Sequence, residues 1–504
     1  MQFGRKILYT DVQSVTKENI ADILRGVMST HDQNATDIQF LLDYESGLQK
    51  KTRTKTYRAD IDNWCVDNIA NEITEFKLSF NWGNPITLSM RDRNDPNNKD
   101  IADGIFELNK FYDLQGNKSK QQELARFVEI GGVGYTFVDI NTAYEDGESP
   151  FTIDVLDPRC TFVVRSSYYM DKRVMFSGTY YCDKQGKKTF TCFTNESRYD
   201  LDSDYKHLEY SGALNPLGVN PINEWIRAYD RMGCFERQIS EMDNLNLLIS
   251  DFTNDVEQNT QAIWHTNDVE FPKQIVKNED GTETEEVIKP KTNDWMQTFT
   301  SQDGKTPFVK ALAVDYDYSG MLNNIVSRRA LILQKCNVPS RNDNSGGSTG
   351  VAMSDATGWT QAETEATRQD QIKDVCKLNE VKAVLRAISK CNGFSMDNPV
   401  RKLKHSDVEA NIPRQKTYEL TTKINGLCAL IAKGFALEDA LGVAPLFEDN
   451  NQVVVRSGDG VKKYQEANIF RIENQANKSE EKRPFADLSD QETNSPLIGG
   501  MKTK

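Results

Sequence analysis

Apolar positions along this chain recur at two spacings, every three to four residues in some stretches and every second residue in others, and the changes of period divide it into elements. Ile20, Ile23, Leu24 and Val27 share one helical face, Ile38, Leu41 and Leu42 another, and Trp64, Ile69 and Ile73 a third, so the N-terminal stretch predicts a series of helices. From Gln121 a helical pattern runs to the stop Gly131-Gly132-Val133-Gly134. After it Tyr135 to Ile140, Phe151 to Leu156, Thr161 to Val164, Val174 to Tyr181 and Thr189 to Phe193 read as strands between polar turns. Residues 121–228 therefore predict an α+β body with antiparallel strands.

The helical period returns between Gly233 and Gln261, where Phe235, Ile239, Met242, Leu245, Leu247, Leu248 and Phe252 form an apolar stripe. At about 1.5 Å per residue this is a rod of roughly 40 Å. Trp264 to Tyr318 carries short strand-like pieces at Val269 to Phe271, Glu286 to Ile288 and Phe308 to Val309, around the acidic turn Asn278 to Glu286. Helix resumes over Ser319 to Lys335, with Met321, Leu322, Ile325, Leu331, Ile332 and Leu333 interspersed with Arg328 and Arg329. Two helices thus flank a small excursion as the legs of an antiparallel pair.

That second apolar pattern ends at Cys336 and breaks into a polar, glycine-rich stretch, Asn337 to Thr360. Glycine and serine give such a stretch mobility and asparagine tolerates left-handed angles, so Arg341 to Gly350 predicts a projecting finger. A long helix follows, Asp355 to Cys391, polar in its first half and apolar on one face in its second (Val375, Leu378, Val381, Val384, Leu385, Ile388). In the first half, Glu363, Glu365 and Asp370 alternate with Arg368 and Lys373 at helical spacing, which predicts a solvated, ion-paired face. Val400 to His405 reads as a strand, and Tyr418 to Lys433 with Leu437 to Leu441 as a helical pair. From Glu473 onward the polar composition predicts a disordered tail.

Composition narrows the function classes. At 504 residues, with 38% hydrophobic and 27% charged, the chain has room for three or four substructures. Its net charge of -14 and pI near 5.0 suit a soluble protein and oppose indiscriminate adhesion to nucleic acid or anionic membrane. Any contact with DNA must be local or weak. No run approaches the roughly 20 apolar residues of a membrane span, and the N-terminus lacks a secretory core, so the protein is expected to stay where it is made. Nine cysteines without a CxxC spacing predict reduced, buried thiols.

Catalytic signatures are weak. Gly304-Lys305-Thr306 has Phe299 where a phosphate loop needs glycine, and Pro307 interrupts the helix that should follow. Gly132-Val133-Gly134 precedes a strand instead of opening a helix, which makes it a helix-to-strand turn. The four histidines (31, 207, 265 and 405) form no metal-ligand or nucleophile pair in sequence, so neither a metal site nor a catalytic residue is expected.

Several local patterns occur in a telling order: Trp82-Gly83-Asn84-Pro85-Ile86, Gly132-Val133-Gly134-Tyr135-Thr136-Phe137-Val138, Asp157-Pro158-Arg159, Leu217-Gly218-Val219-Asn220-Pro221-Ile222-Asn223-Glu224, Ser345 to Met353, and Asn411-Ile412-Pro413. The order resembles that of the portal proteins of tailed bacteriophages, of the type found in long-tailed phages of Gram-positive bacteria. The chain departs from that pattern where a family SGxA segment is widened to Ser345-Gly346-Gly347-Ser348-Thr349-Gly350-Val351-Ala352.

The resemblance implies an α+β, mainly helical fold assembled as a ring, usually of twelve subunits. Residues 1–232 with 355–413 would form a wing, 233–262 and 318–337 two stem helices, 263–317 a clip, 338–354 a tunnel loop, 414–472 a crown, and 473–504 the tail. It implies a DNA conduit at one capsid vertex of the virion, assembled in the host cytoplasm, without cofactor or enzymatic activity. Implied partners are double-stranded DNA, held non-specifically and weakly, the terminase large subunit, head-completion and adaptor proteins, and the major capsid and scaffolding proteins. Arg341, Asn342, Asp343, Asn344, Ser345, Gly346 and Gly347 would face the channel. Arg328 and Arg329 would pair with Glu241 or Asp251 of a neighbouring subunit, and Asn278, Glu279, Asp280, Glu285 and Glu286 would dock motor and adaptor. Two alternatives stand beside this reading, a nucleic-acid-processing enzyme and a structural assembly protein of the virion that conducts no DNA.

Overall fold

Two sheets packed face to face organise the larger part of the chain. The computed structural model describes residues 3–56, 59–91, 98–168, 170–260, 263–267, 273–277, 283–287, 307–312, 317–340, 358–414 and 420–443, with a few isolated positions beyond. The chain falls into two units, residues 1–415 and 416–504, each described on its own.

In the first unit, strand β1 (Leu8–Thr10) precedes helices α1 (Ile20–Glu45) and α2 (Ile69–Trp82), strand β2 (Thr87–Met90), and helices α3 (Asn98–Leu114) and α4 (Asn117–Gly131). The strand-rich body follows: β3 (Val133–Ile140), β4 (Phe151–Leu156), β5 (Thr161–Ser166), β6 (Val174–Cys182), β7 (Lys188–Phe193), β8 (Ser197–Leu201), β9 (Ala213–Leu214) and β10 (Ile222–Ile226). A six-stranded sheet runs β1-β5-β6-β7-β8-β9 and a three-stranded sheet β10-β3-β4. Every pairing in them is antiparallel except that of β1 with β5, which is parallel. Between the sheets, Val163 of β5 packs with Val133 and Tyr135 of β3 and Ile222 of β10. On the outer face of the larger sheet, Ile20, Ile23, Leu24 and Val27 of α1 cover Phe162, Phe176 and Phe190.

Where the pattern predicts two helices over residues 20–42, one continuous α1 forms. The gap between its apolar patches is a buried polar row, His31, Asn34 and Asp37, which periodicity alone reads as an interruption. The N-terminal arm supplies partners: Asn34 accepts from the Lys6 amide at 2.9 Å and donates to its carbonyl at 2.8 Å. His31 lies 5.1 Å from the Phe162 ring and 5.6 Å from Tyr180, and burial pushes its imidazole down to about 4. The arm is anchored again at its start, where Gly4 N–H and the Arg5 guanidinium both donate to Glu236 Oε1 at 2.8 and 2.7 Å. Both side chains of that ion pair are shut off from solvent.

The turn from α4 into β3 requires glycine. Gly132 sits at φ +77, and a Cβ there would meet the Arg231 carbonyl oxygen at 2.3 Å. Beyond the body, α3 and the long helix Trp359–Lys390 enclose a third cluster around Leu108, Phe151, Val384 and Ile388. The strand expected at Val400 to His405 is a 3₁₀ turn, Pro399–Lys402, and the strand forms later, at Val408–Asn411, paired with β2. Asn398 caps the turn and Pro399 fixes its φ, while Val400 and Leu403, three apart, are both buried. That spacing stacks on a three-residue turn and passes for strand alternation only in a short window.

After β10 comes α5 (Ile239–Thr260), preceded by a 3₁₀ turn at Glu236–Gln238, then β11 (Ile263–Asn267), β12 (Lys273–Lys277), β13 (Glu283–Val287), β14 (Phe308–Leu312), α6 (Tyr318–Lys335), α7 (Trp359–Lys390) and β15 (Val408–Asn411). β11 pairs with β14 and β12 with β13, as two antiparallel ribbons. The strand-like piece expected at Val269 to Phe271 lies outside the described residues, as does the tail. In the second unit, α8 (Leu420–Ala432) and α9 (Leu437–Val443) pack on each other about Gly434 at φ +91.

Candidate functional site

Helices α5 and α6 leave the body side by side. Met242 and Leu245 of α5 meet Ile332 and Leu333 of α6, and the same cluster reaches Ile69 and Ile73 of α2. Asp317 caps α6 by accepting from the Gly320 amide at 2.9 Å. Over most of its length α6 is uncovered: Leu322, Val326 and Leu331 are each about half exposed (52%, 53% and 52%) despite being apolar.

The charged residues singled out on these rods find partners inside the same chain. Arg328 lies 3.9 Å from Glu241, a loose pair half open to water. Arg329 turns the other way, to Asp67 at 2.9 Å and to Glu72. Asp251 is engaged by Arg53 from the irregular stretch that lies along α5. The structure therefore brings Arg328 and Glu241 together and separates Arg329 and Asp251 from both.

On the second ribbon, Glu285 pairs with Lys273 across the strands at 3.1 Å, and Glu286 stands opposite Gln274 in register. Asn278, Glu279 and Asp280 lie outside the described residues. So do Arg341, Asn342, Asp343, Asn344, Ser345, Gly346 and Gly347; what the structure describes is how the chain leaves α6 and enters α7 on either side of them.

Those two ends converge on a buried polar cluster that sequence reasoning missed. Glu365, nearly two turns into α7, accepts from Lys77 Nζ of α2 at 2.5 Å, from Asn337 Nδ2 at 3.1 Å, from Gln369 at 3.3 Å and from Arg227. Arg227, just beyond β10, also donates to Glu129 Oε2 of α4 at 3.0 Å. Glu129 is fully buried and accepts from Trp82 Nε1 at 3.0 Å. Asn81 donates to Gln369 at 2.9 Å, and Lys373 donates to the Asn81 carbonyl at 2.8 Å while lying 4.0 Å over the Trp82 ring.

Burial alone would raise the Glu365 carboxyl, but Lys77 and Arg227 outweigh it and hold the group below its ordinary value. Burial pushes the Lys373 ammonium down to about 7, against the pull of Glu129 and with repulsion from Arg227. Charges in so dry a place persist only because each is met by an opposite charge or a polar atom.

The solvated face expected of Glu363, Glu365, Asp370, Arg368 and Lys373 holds for Arg368, which is exposed, and is corrected for three of the others: Lys373 is 3% exposed, and Glu365 and Asp370 face inward, Asp370 onto Arg414. A signal was present in the sequence. Ala362, Ala366, Gln369, Lys373 and Cys376 continue at three- and four-residue steps into Ala383 and Ala387, a buried stripe marked by small residues where helices approach closely.

Of the nine cysteines, five are buried, and Cys182 and Cys428 are exposed, in contrast to the expectation of buried thiols. No helix among the described residues is long and apolar enough to cross a membrane.

A family model described as phage portal protein, SPP1 Gp6-like, matches residues 27–420, from within α1 to the start of α8. No curated protein matches the chain.

Proposed function

The chain belongs to the phage portal proteins of the SPP1 Gp6-like kind, and on that premise we propose that it forms the ring-shaped conduit at one capsid vertex through which double-stranded DNA is packaged and ejected. The family is structural. In this reading the body and α7 are the wing, α5 and α6 the stem, residues 263–317 the clip, 338–354 the tunnel loop and 414–472 the crown. A ring, taken as dodecameric, docks the terminase large subunit at the clip during filling and head-completion proteins afterwards, and meets capsid and scaffolding proteins at its rim.

The observation that carries the reading is α6 itself, a helix held on one side by α5 and α2 while Leu322, Val326 and Leu331 remain open. Apolar positions left uncovered on a regular helix suit burial against a neighbour, and a closed ring gives every copy the same neighbour.

The acidic balance of the chain, net -14, also supports it. Each lysine or arginine that neutralises a phosphate strengthens binding by counterion release, so a channel lined mainly with basic groups would grip its cargo. A single Arg341 per copy, flanked by Asn342, Asp343 and Asn344, gives a light contact that ring symmetry repeats.

Negative-stain images of the purified full-length chain test the assembly: closed rings with a central hole are expected, and monomers or filaments would overturn it. Replacing Arg341 with alanine should leave rings intact and lower the yield of DNA-filled heads; an unchanged yield would remove that residue from the mechanism. Removing residues 278–286, the acidic stretch that includes most of β13, should abolish motor-stimulated packaging, and full activity would make that stretch an idle surface.

A further inference from the structure

Both ends of the stretch between α6 and α7 are tied to α2. On the departing side, Val338 is buried in the cluster with Ile69, Ala70 and Ile73, and the Asn337 carbonyl accepts from Lys77 Nζ at 3.5 Å. On the returning side, Trp359 rests edge-on against Phe76 and Phe80, its ring centre 6.0 and 5.7 Å from theirs. Glu365 joins the two sides, since one of its oxygens receives both Lys77 and the Asn337 side chain. Asn337 and Gly358, at φ +53 and +88, each turn the chain sharply where it meets this knot.

We propose that Lys77, Asn337 and Glu365 are positioning residues for the segment taken above as DNA-facing, fixing where the chain leaves α6 and where it enters α7. The inference deepens the portal reading and rests on it. A purely stabilising role explains the cluster poorly, because well-packed apolar side chains can replace buried ion pairs without loss of stability. Apolar packing does not fix direction. Hydrogen bonds to a carboxylate are directional, and here they lock two chain ends that lie 28 residues apart in sequence.

The test exchanges the polarity of one bond. N337D keeps a residue that tolerates a left-handed backbone and turns the donor facing Glu365 into a second carboxylate. Adding E365Q restores a donor–acceptor pair of almost unchanged volume.

In the full-length protein, N337D is expected to form rings and to melt within a few degrees of wild type, while tryptic cleavage after Arg341 rises about tenfold and DNA-filled heads fall about tenfold; the double variant recovers both. Unchanged cleavage or unchanged filling in N337D would overturn the proposal. So would failure of the double variant to recover, or loss of rings and of the global transition in N337D, which would make the knot a fold element only. If the wild-type chain itself forms no ring, it is the portal reading that falls.

Discussion

The sheet body and the paired rods α5 and α6 are built from similar proportions of apolar residues and end in opposite conditions. In the body, α1 buries one face from Ile20 to Glu45 and the sheet beneath it is covered on both sides. In α6, Ile332 is the one residue of the described helix that is fully buried. A region whose core closes within one chain holds its shape alone, whereas a region whose apolar side chains stay open acquires its final environment from something else. The body is thus the part of the fold that one copy completes, and α6 is the part that a neighbouring copy would cover in the ring proposed above.

The sharpest way to break that contrast is to damage each region in the isolated chain. Phe162, 1% exposed between α1 and the sheet, should cost about 3–5 kcal/mol on replacement by alanine, read from denaturant unfolding of the monomer. A loss below about 1 kcal/mol would mean that the body core is not self-sufficient.

Acid probes the same core through His31. Its folded-state value of about 4 lies below the ordinary 6.5, so its contribution is complete above pH 6.5 and is lost as pH falls toward 4. The full interval corresponds to about 3 kcal/mol, of which about 2 should be gone by pH 5. Unfolding measured at pH 7 and pH 5 should show a His31→Gln variant losing correspondingly less than wild type, and equal losses would remove the imidazole from the account.

Leu322→Ser combined with Val326→Ser should change monomer stability by only about 0.5 kcal/mol, since both side chains are already half in water. The yield of rings in electron micrographs should nevertheless fall severely; equal ring yield would show that α6 needs no neighbour. The smallest effect is expected for Arg328→Ala, about 0–1 kcal/mol in the monomer, because its pair with Glu241 is long and exposed.

The same contrast governs what could be read from the amino-acid pattern. The rods and strands were legible because each carries one regular apolar face: the stripe from Ile239 to Phe252 lies in α5 and the run from Val174 to Tyr181 in β6. The Gly132 turn was legible too, since only glycine occupies that close approach without strain. Polar residues that fold inward were not. His31 and Asn34 split α1 into two apparent helices, and Glu365 and Lys373 looked solvated, because a charge that has found a partner far along the chain leaves no local trace of it.

The knot at Glu365 needed Lys77, Arg227 and Asn337 from three separate elements, and nothing in the spacing of any one of them announces the others. Strand β1 was missed for a different reason: three residues are too few to establish a period, and its parallel partner lies across the whole N-terminal helical stretch.

Arg5 closes onto Glu236, 231 positions later, and so ties the folding of this molecule to its synthesis. At typical elongation rates of about 5–20 residues per second, the arm waits on the order of ten seconds or more before its acceptor leaves the ribosome. Until then the tie at the start of the arm cannot form, and the arm is held by what has already emerged, the Asn34 side chain on Lys6 and the edge of β5 under β1.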